Sequence, residues 1–106
     1  MATDAHAGDG AGPVAGRVVD NPQASRFEIE LEGHLAELVY RRTPDRLILV
    51  HTGVPPELEG HGLGGELVRA AIDDAERRQL TVVPRCPFAR DWLERHPDQA
   101  ARVRVA

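Results

Sequence analysis

The strongest constraint on the fold is a junction. The apolar run Leu47-Ile48-Leu49-Val50 leads into the glycine-dense turn Glu59-Gly60-His61-Gly62-Leu63-Gly64-Gly65, and a long amphipathic stretch follows. A short apolar run bounded by turn residues reads as a buried strand. From Gly64 to Arg78, Leu67, Val68, Ala71, Ile72 and Ala75 recur at spacings that gather on one helical face, with charges opposite. The turn therefore joins a strand end to a helix N-terminus. The first amides of a helix have no intrahelical acceptor, and the helix dipole places about half a positive charge there. Glycines let an anion approach such a terminus without a Cβ clash, so the diphosphate of a nucleotide or coenzyme is the natural ligand. The motif lacks the lysine and Ser/Thr of a P-loop and the three-glycine spacing of a dinucleotide fingerprint. Taken alone, these glycines could equally serve only to turn the chain.

The rest of the chain supplies partners for this unit. Residues 1–16 are rich in alanine, glycine and aspartate with almost no apolar pattern, which predicts a disordered tail before a single domain over 17–106. Arg17-Val18-Val19-Asp20 suits a short strand, and Asn21-Pro22 a turn. Phe27, Ile29 and Leu31 then alternate with Glu28, Glu30 and Glu32, the period of a strand with one wet face. Gly33 marks a hairpin turn into a strand from His34 to Arg42, and Thr43-Pro44-Asp45 turns the chain into a central strand from Arg46 to Val54, which Pro55-Pro56 ends. After the helix, Leu80 to Val83 returns as a strand, parallel to the central one because a helix connects them. Cys86-Pro87 opens a second helix with Phe88, Trp92 and Leu93 on its apolar face, ended by His96-Pro97. The fold class is thus α/β (α+β), with antiparallel N-terminal strands and a β-α-β-α C-terminal half. Along the long helix, Arg69/Asp73, Asp73/Arg77 and Asp74/Arg78 are spaced for surface ion pairs.

Charge and composition narrow the partners. The net charge is −4, and the basic residues, all arginine, are interspersed with acidic ones instead of forming a stripe, which argues against nucleic acid. No apolar run approaches the roughly 20 residues that cross a bilayer, and no signal-peptide pattern opens the sequence, so no membrane partner and a cytoplasmic location are expected. Cys86 is the single cysteine, which rules out an internal disulfide and paired-thiolate metal binding. His34, His61 and His96 have no ligand spacing with Asp or Glu, so no metal is expected.

Four features in order, His51-Thr52-Gly53-Val54-Pro55-Pro56-Glu57-Leu58, the glycine turn, Cys86-Pro87-Phe88 and His96-Pro97, resemble the small bacterial members of the GCN5-related N-acetyltransferase (GNAT) superfamily over roughly Val18 to His96. The resemblance implies a splayed mixed sheet whose strands ending near Val54 and Val83 part to admit the pantetheine arm of acetyl-CoA. It further implies that the backbone near Val54 meets the thioester region and that amides of Gly60, His61, Gly62, Leu63, Gly64 and Gly65 hold the pyrophosphate. Cys86, in the Cys-Pro-Phe motif, would line the same slot. The implied activity moves an acetyl group from acetyl-CoA to an amine, a small molecule or a protein. The implied cofactor is acetyl-CoA as co-substrate, and the protein is a monomer or weak homodimer.

Two side chains are catalytic candidates. Cys86 beside Arg85 at a helix start has the setting of a low-pKa thiolate that could accept the acetyl group, and alternatively is a small spacer lining the slot. His51 is either a base or a histidine bonded within the sheet. The chain departs from its resemblance at Glu59 and His61, where basic residues or glutamine are common, at Gly53, where glutamate is frequent, and at Trp92, where tyrosine is frequent. A carboxylate near a diphosphate opposes binding, and neither glycine nor indole transfers protons. These departures support a second reading, a non-catalytic CoA-binding or protein-interaction module with the same fold.

Overall fold

The computed structural model describes residues 12–15 and 17–106. Six strands form one sheet in the order of the chain: β1 (Gly12–Ala15), β2 (Val18–Asn21), β3 (Arg26–Leu31), β4 (His34–Arg42), β5 (Arg46–Gly53) and β6 (Thr81–Pro84). Strands β1 to β5 run antiparallel and β6 joins β5 in parallel, as the helical crossover requires. The crossover contains a 3-10 turn (Pro56–Leu58) and the helix α1 (Leu63–Arg78). Two helices follow β6: α2 (Pro87–Arg95), with proline in its first turn, and the short α3 (Pro97–Ala100). The tail expected over 1–16 lies outside the described residues at 1–11 and 16, whereas Gly12–Ala15 adds an edge strand.

Alternation decides which face is covered. Phe27, Ile29, Ala36, Leu38, Leu47 and Leu49 are fully buried on one face, where α1 lays Leu67, Val68, Ala71, Ile72 and Ala75 against them. Their neighbours Glu28, Glu37, Val39, Ile48 and His51 are half-buried or exposed on the other face. The alternation expected from Phe27 is found in β3.

Of the surface pairs expected along α1, Asp74/Arg78 forms, but on a buried carboxylate, and Asp73 takes another partner. Asp74 is fully buried and accepts hydrogen bonds from Arg42 Nη2 at 2.9 Å, Arg77 Nη2 at 2.9 Å and Arg78 Nε at 2.7 Å. Arg42 Nη2 also donates to Asp20 Oδ2 at 3.1 Å, and the Tyr40 hydroxyl donates to Asp20 Oδ1 at 2.6 Å. This network ties β2, β4 and α1 together from the covered face. Asp73 pairs instead with Arg102 beyond α3, and Arg69 lies over the Trp92 ring. The helical period cannot distinguish these arrangements, because an arginine on a neighbouring strand determines whether a carboxylate turns inward.

Candidate functional site

The sheet opens between its two parallel strands. The β5–β6 ladder ends at the pair Leu49↔Pro84, while β5 runs on to Gly53. Past that pair the amides of Arg85 and Cys86 both donate to the Leu49 carbonyl at 3.0 Å, which draws the chain away from β5 and into α2. The β4–β5 register slips at the same level: Tyr40 faces Leu49 and Val39 faces His51, leaving Val50 as an extra residue. Such a bulge bends its strand and re-aims the side chains beyond it. Thr52 therefore pairs with Leu38 on the helix side, and His51 and Gly53 lie on the open face.

Cys86 closes one side of the opening. It is the N-cap residue of α2, and its Sγ lies 3.2 Å from Thr52 Oγ1. The side chain is only 3% exposed. Burial pushes the thiol pKa up, but hydrogen bonds from the Thr52 hydroxyl and from the amides of Ala89, Phe88 and Thr52 outweigh it and hold the thiol below its ordinary value. Arg85, expected beside the thiol, is exposed, and the hydrogen bonds to the sulfur come from other residues. His51 and Cys86 belong to opposite faces, and the residue at the sulfur is Thr52. The signal for Thr52 was its position next to His51, readable only once the bulge is counted.

The glycine turn divides into two functions. Gly60 and Gly62 have φ of +89° and +73° with open space where a Cβ would project. They supply left-handed turns that a side chain would strain, and Gly62 caps α1 with no side-chain hydrogen bond to its first amides. Gly64 and Gly65 instead admit α2. A Cβ on Gly64 would lie 2.6 Å from Phe88 Cζ, and one on Gly65 2.8 Å from Trp92 Nε1. Trp92 is buried and stacks on His96, which bonds the Trp92 carbonyl through Nδ1 at 2.8 Å. Phe88, expected on the buried face of α2, is 43% exposed across Gly64. Glu59 and His61 are exposed, Leu63 is buried beneath the turn, and half-buried Val54 packs on the core after β5.

Residues 26–103 match the family described as GCN5-related N-acetyl-transferase. The chain belongs to that family. A GCN5-like protein from Staphylococcus aureus, proposed to be an N-acetyltransferase and solved by NMR in solution, superposes with a TM-score of 0.61. It is 29% identical, and the alignment covers 77% of this chain and 83% of that one. For this GCN5-related chain the family and the α+β fold expected from the sequence are therefore both found. No helix among the described residues is long and apolar enough to cross a membrane, and none of their His, Cys, Asp and Glu side chains group to hold a metal ion.

Proposed function

We propose that this GCN5-related chain transfers an acetyl group from acetyl-CoA to an amine, with the thioester held where β5 outruns β6. The observation that carries the reading is the parting itself. From Val50 to Gly53 the β6-side edge of β5 has no ladder partner, and the chain that would supply one has turned into α2 at Cys86. An extended amide-bearing arm such as pantetheine satisfies such an edge by hydrogen bonding along it. The donors for a diphosphate are the first amides of α1 at Leu63, Gly64 and Gly65, with Gly60, His61 and Gly62 forming the turn in front of them. Open space at Gly60 and Gly62 fits an anion, since its approach meets no side chain from either.

Acetyl transfer joins the amine nitrogen to the acetyl carbon and releases the thiol, so the protein must position the two reactants and stabilise charge on the acetyl oxygen. Backbone amides of the bulged strand are the donors in reach of the opening, with Val54 at its far end. Cys86 offers a second route, because a thiol held below its ordinary pKa attacks a thioester as thiolate and can carry the acetyl group to the amine.

Intact-protein mass spectrometry after rapid quench with acetyl-CoA separates the routes. An added acetyl mass that vanishes in Cys86→Ser identifies the covalent route, and CoA release with an amine present but no adduct identifies direct transfer. Stable acetyl-CoA binding with neither adduct nor amine-dependent CoA release would overturn the enzyme reading in favour of a binding module.

A further inference from the structure

The helices gather on one side of the sheet. Phe88 and Trp92 of α2 press on Gly64 and Gly65 of α1, and Arg102 beyond α3 bonds Asp73 and Glu76 of α1. No element among the described residues covers the other face, and its residues on β2 to β6 are half-buried or exposed. The strand pairings sort that face into rows. Val39 on β4, Ile48 and Val50 on β5 and Val83 on β6 make an apolar centre, with Val50 41% exposed. Toward one end lie Glu28, Glu30 and Glu37, against which stands the single guanidinium of Arg26, shared by Glu28 and Glu37. Toward the other end lie Arg41, paired with Ile48, and Arg46 beside Asp45, both arginines exposed. The face is therefore acidic at one end, basic at the other and apolar between.

We propose that this face packs against the same face of a second copy of the chain. Two identical faces close on each other about a two-fold axis lying between them. An axis along the strands would set acidic end on acidic end, whereas an axis across the strands sets acidic on basic. Val39 lies midway between Glu37 and Arg41 on β4, so an axis crossing there brings Glu37 of each copy over Arg41 of the other. Arg26 engages only Oε1 of Glu37, which leaves Oε2 for that contact. Stacked sheets lie about 10 Å apart, a gap that a glutamate and an arginine reaching from opposite sides can bridge. Along the same register Val39 meets its counterpart, and Ile48 meets Gly53, which has no side chain to oppose it. A partner of one charge would match one end of the face and be repelled by the other, while a second copy matches both. Strands β2 to β6 hold four, six, nine, eight and four residues. At about 3.4 Å by 4.8 Å per residue they give roughly 500 Å2 per copy. The pair then buries about 1,000 Å2, near the lower bound of a specific interface, so the dimer is weak and forms with rising concentration.

The experiment is sedimentation velocity of the full chain from about 10 μM to about 1 mM, at low and at high salt. The sedimentation coefficient should climb toward the dimer value with concentration, and climb less at high salt, which screens the Glu37–Arg41 contacts. Backbone amide NMR over the same dilution should show shifts centred on Glu37 to Arg41 and Ile48 to Gly53. Arg41→Glu, at an exposed strand position, should weaken the dimer about tenfold or more, and Glu37→Gln, which keeps the shape, several-fold. Arg90→Glu makes the same charge change on exposed α2 and should leave the dimer unaltered. A chain that stays monomeric at about 1 mM would overturn the proposal, whether its open face is bare or covered by another part of the chain. So would a dimer indifferent to both Arg41→Glu and Glu37→Gln, or dilution shifts that gather on β1 or α2 instead.

Discussion

At Cys86, donors from two elements surround a buried sulfur. Its burial alone would protect the thiol, so the lowered pKa depends on hydrogen bonds, and the Thr52 hydroxyl is the strongest of these contributors. Only the thiolate is alkylated, so a lowered pKa carries the alkylation profile to lower pH. Thr52→Val should move the midpoint of iodoacetamide alkylation upward and slow the reaction at neutral pH several-fold, read by mass spectrometry across a pH series. The two helix glycines give a second residue-level prediction. Alanine in place of glycine within a helix gains at most about 1 kcal/mol, the value for a helix interior. At Gly65 the new methyl would press on buried, stacked Trp92, whereas at Gly64 it would meet Phe88, which is exposed enough to swing aside. Gly65→Ala should therefore destabilise by roughly 1–3 kcal/mol in urea unfolding despite its propensity, and Gly64→Ala by clearly less.

Among the elements, the network around Asp74 anchors α1 to the sheet. Three arginines converge on one fully buried carboxylate, and Arg42 is the member that reaches it from β4. Asp74→Asn would leave that guanidinium facing Asp20 alone, at an expected cost of roughly 3 kcal/mol. Arg77→Ala should cost far less, because its side chain is 57% exposed. Chemical denaturation of both variants checks the order. Most of the element pattern was readable in the sequence, because period-two alternation in β3 and the apolar stripe of α1 each leave one dominant burial pattern. The edge strand β1 was not, since Gly12–Ala15 has no alternation and becomes a strand by pairing with β2. Asp74 was misplaced for a similar reason: its partner Arg42 is distant in sequence, and a helical spacing rule sees only neighbours on the helix.

Over the whole molecule, one sheet separates two chemistries. Its helix side holds the core, the thiol and the start of α1, and its open side holds Arg26, Glu37 and His51. The bulge at Val50 assigns Thr52 to one side and His51 to the other. Leu47-Ile48-Leu49-Val50 is uniformly apolar, so the sequence does not mark where the slip occurs, and the pairing of Thr52 with Cys86 stayed hidden although both residues lie in motifs that were noticed. The glycine turn was legible as a turn before a helix, but its division into conformational and packing glycines depends on where α2 lies. Long-range charge acts at this scale too. Glu59 is exposed near the uncapped end of α1, where a negative side chain opposes an incoming anion. Glu59→Arg should tighten acetyl-CoA binding about two- to fivefold at low salt, measured by calorimetry, with the gain shrinking as salt rises.

The proposed acetyl-CoA slot is the parting of β5 from β6. Backbone amide NMR of the full chain titrated with acetyl-CoA tests it most directly. Saturable one-site shifts that cluster at Val50 to Val54, at Gly60 to Gly65 and at Cys86 are expected. Shifts that never saturate, or that gather instead around the cavity of about 320 Å3 lined by Pro84, Arg90, Leu93 and Val105, would contradict it.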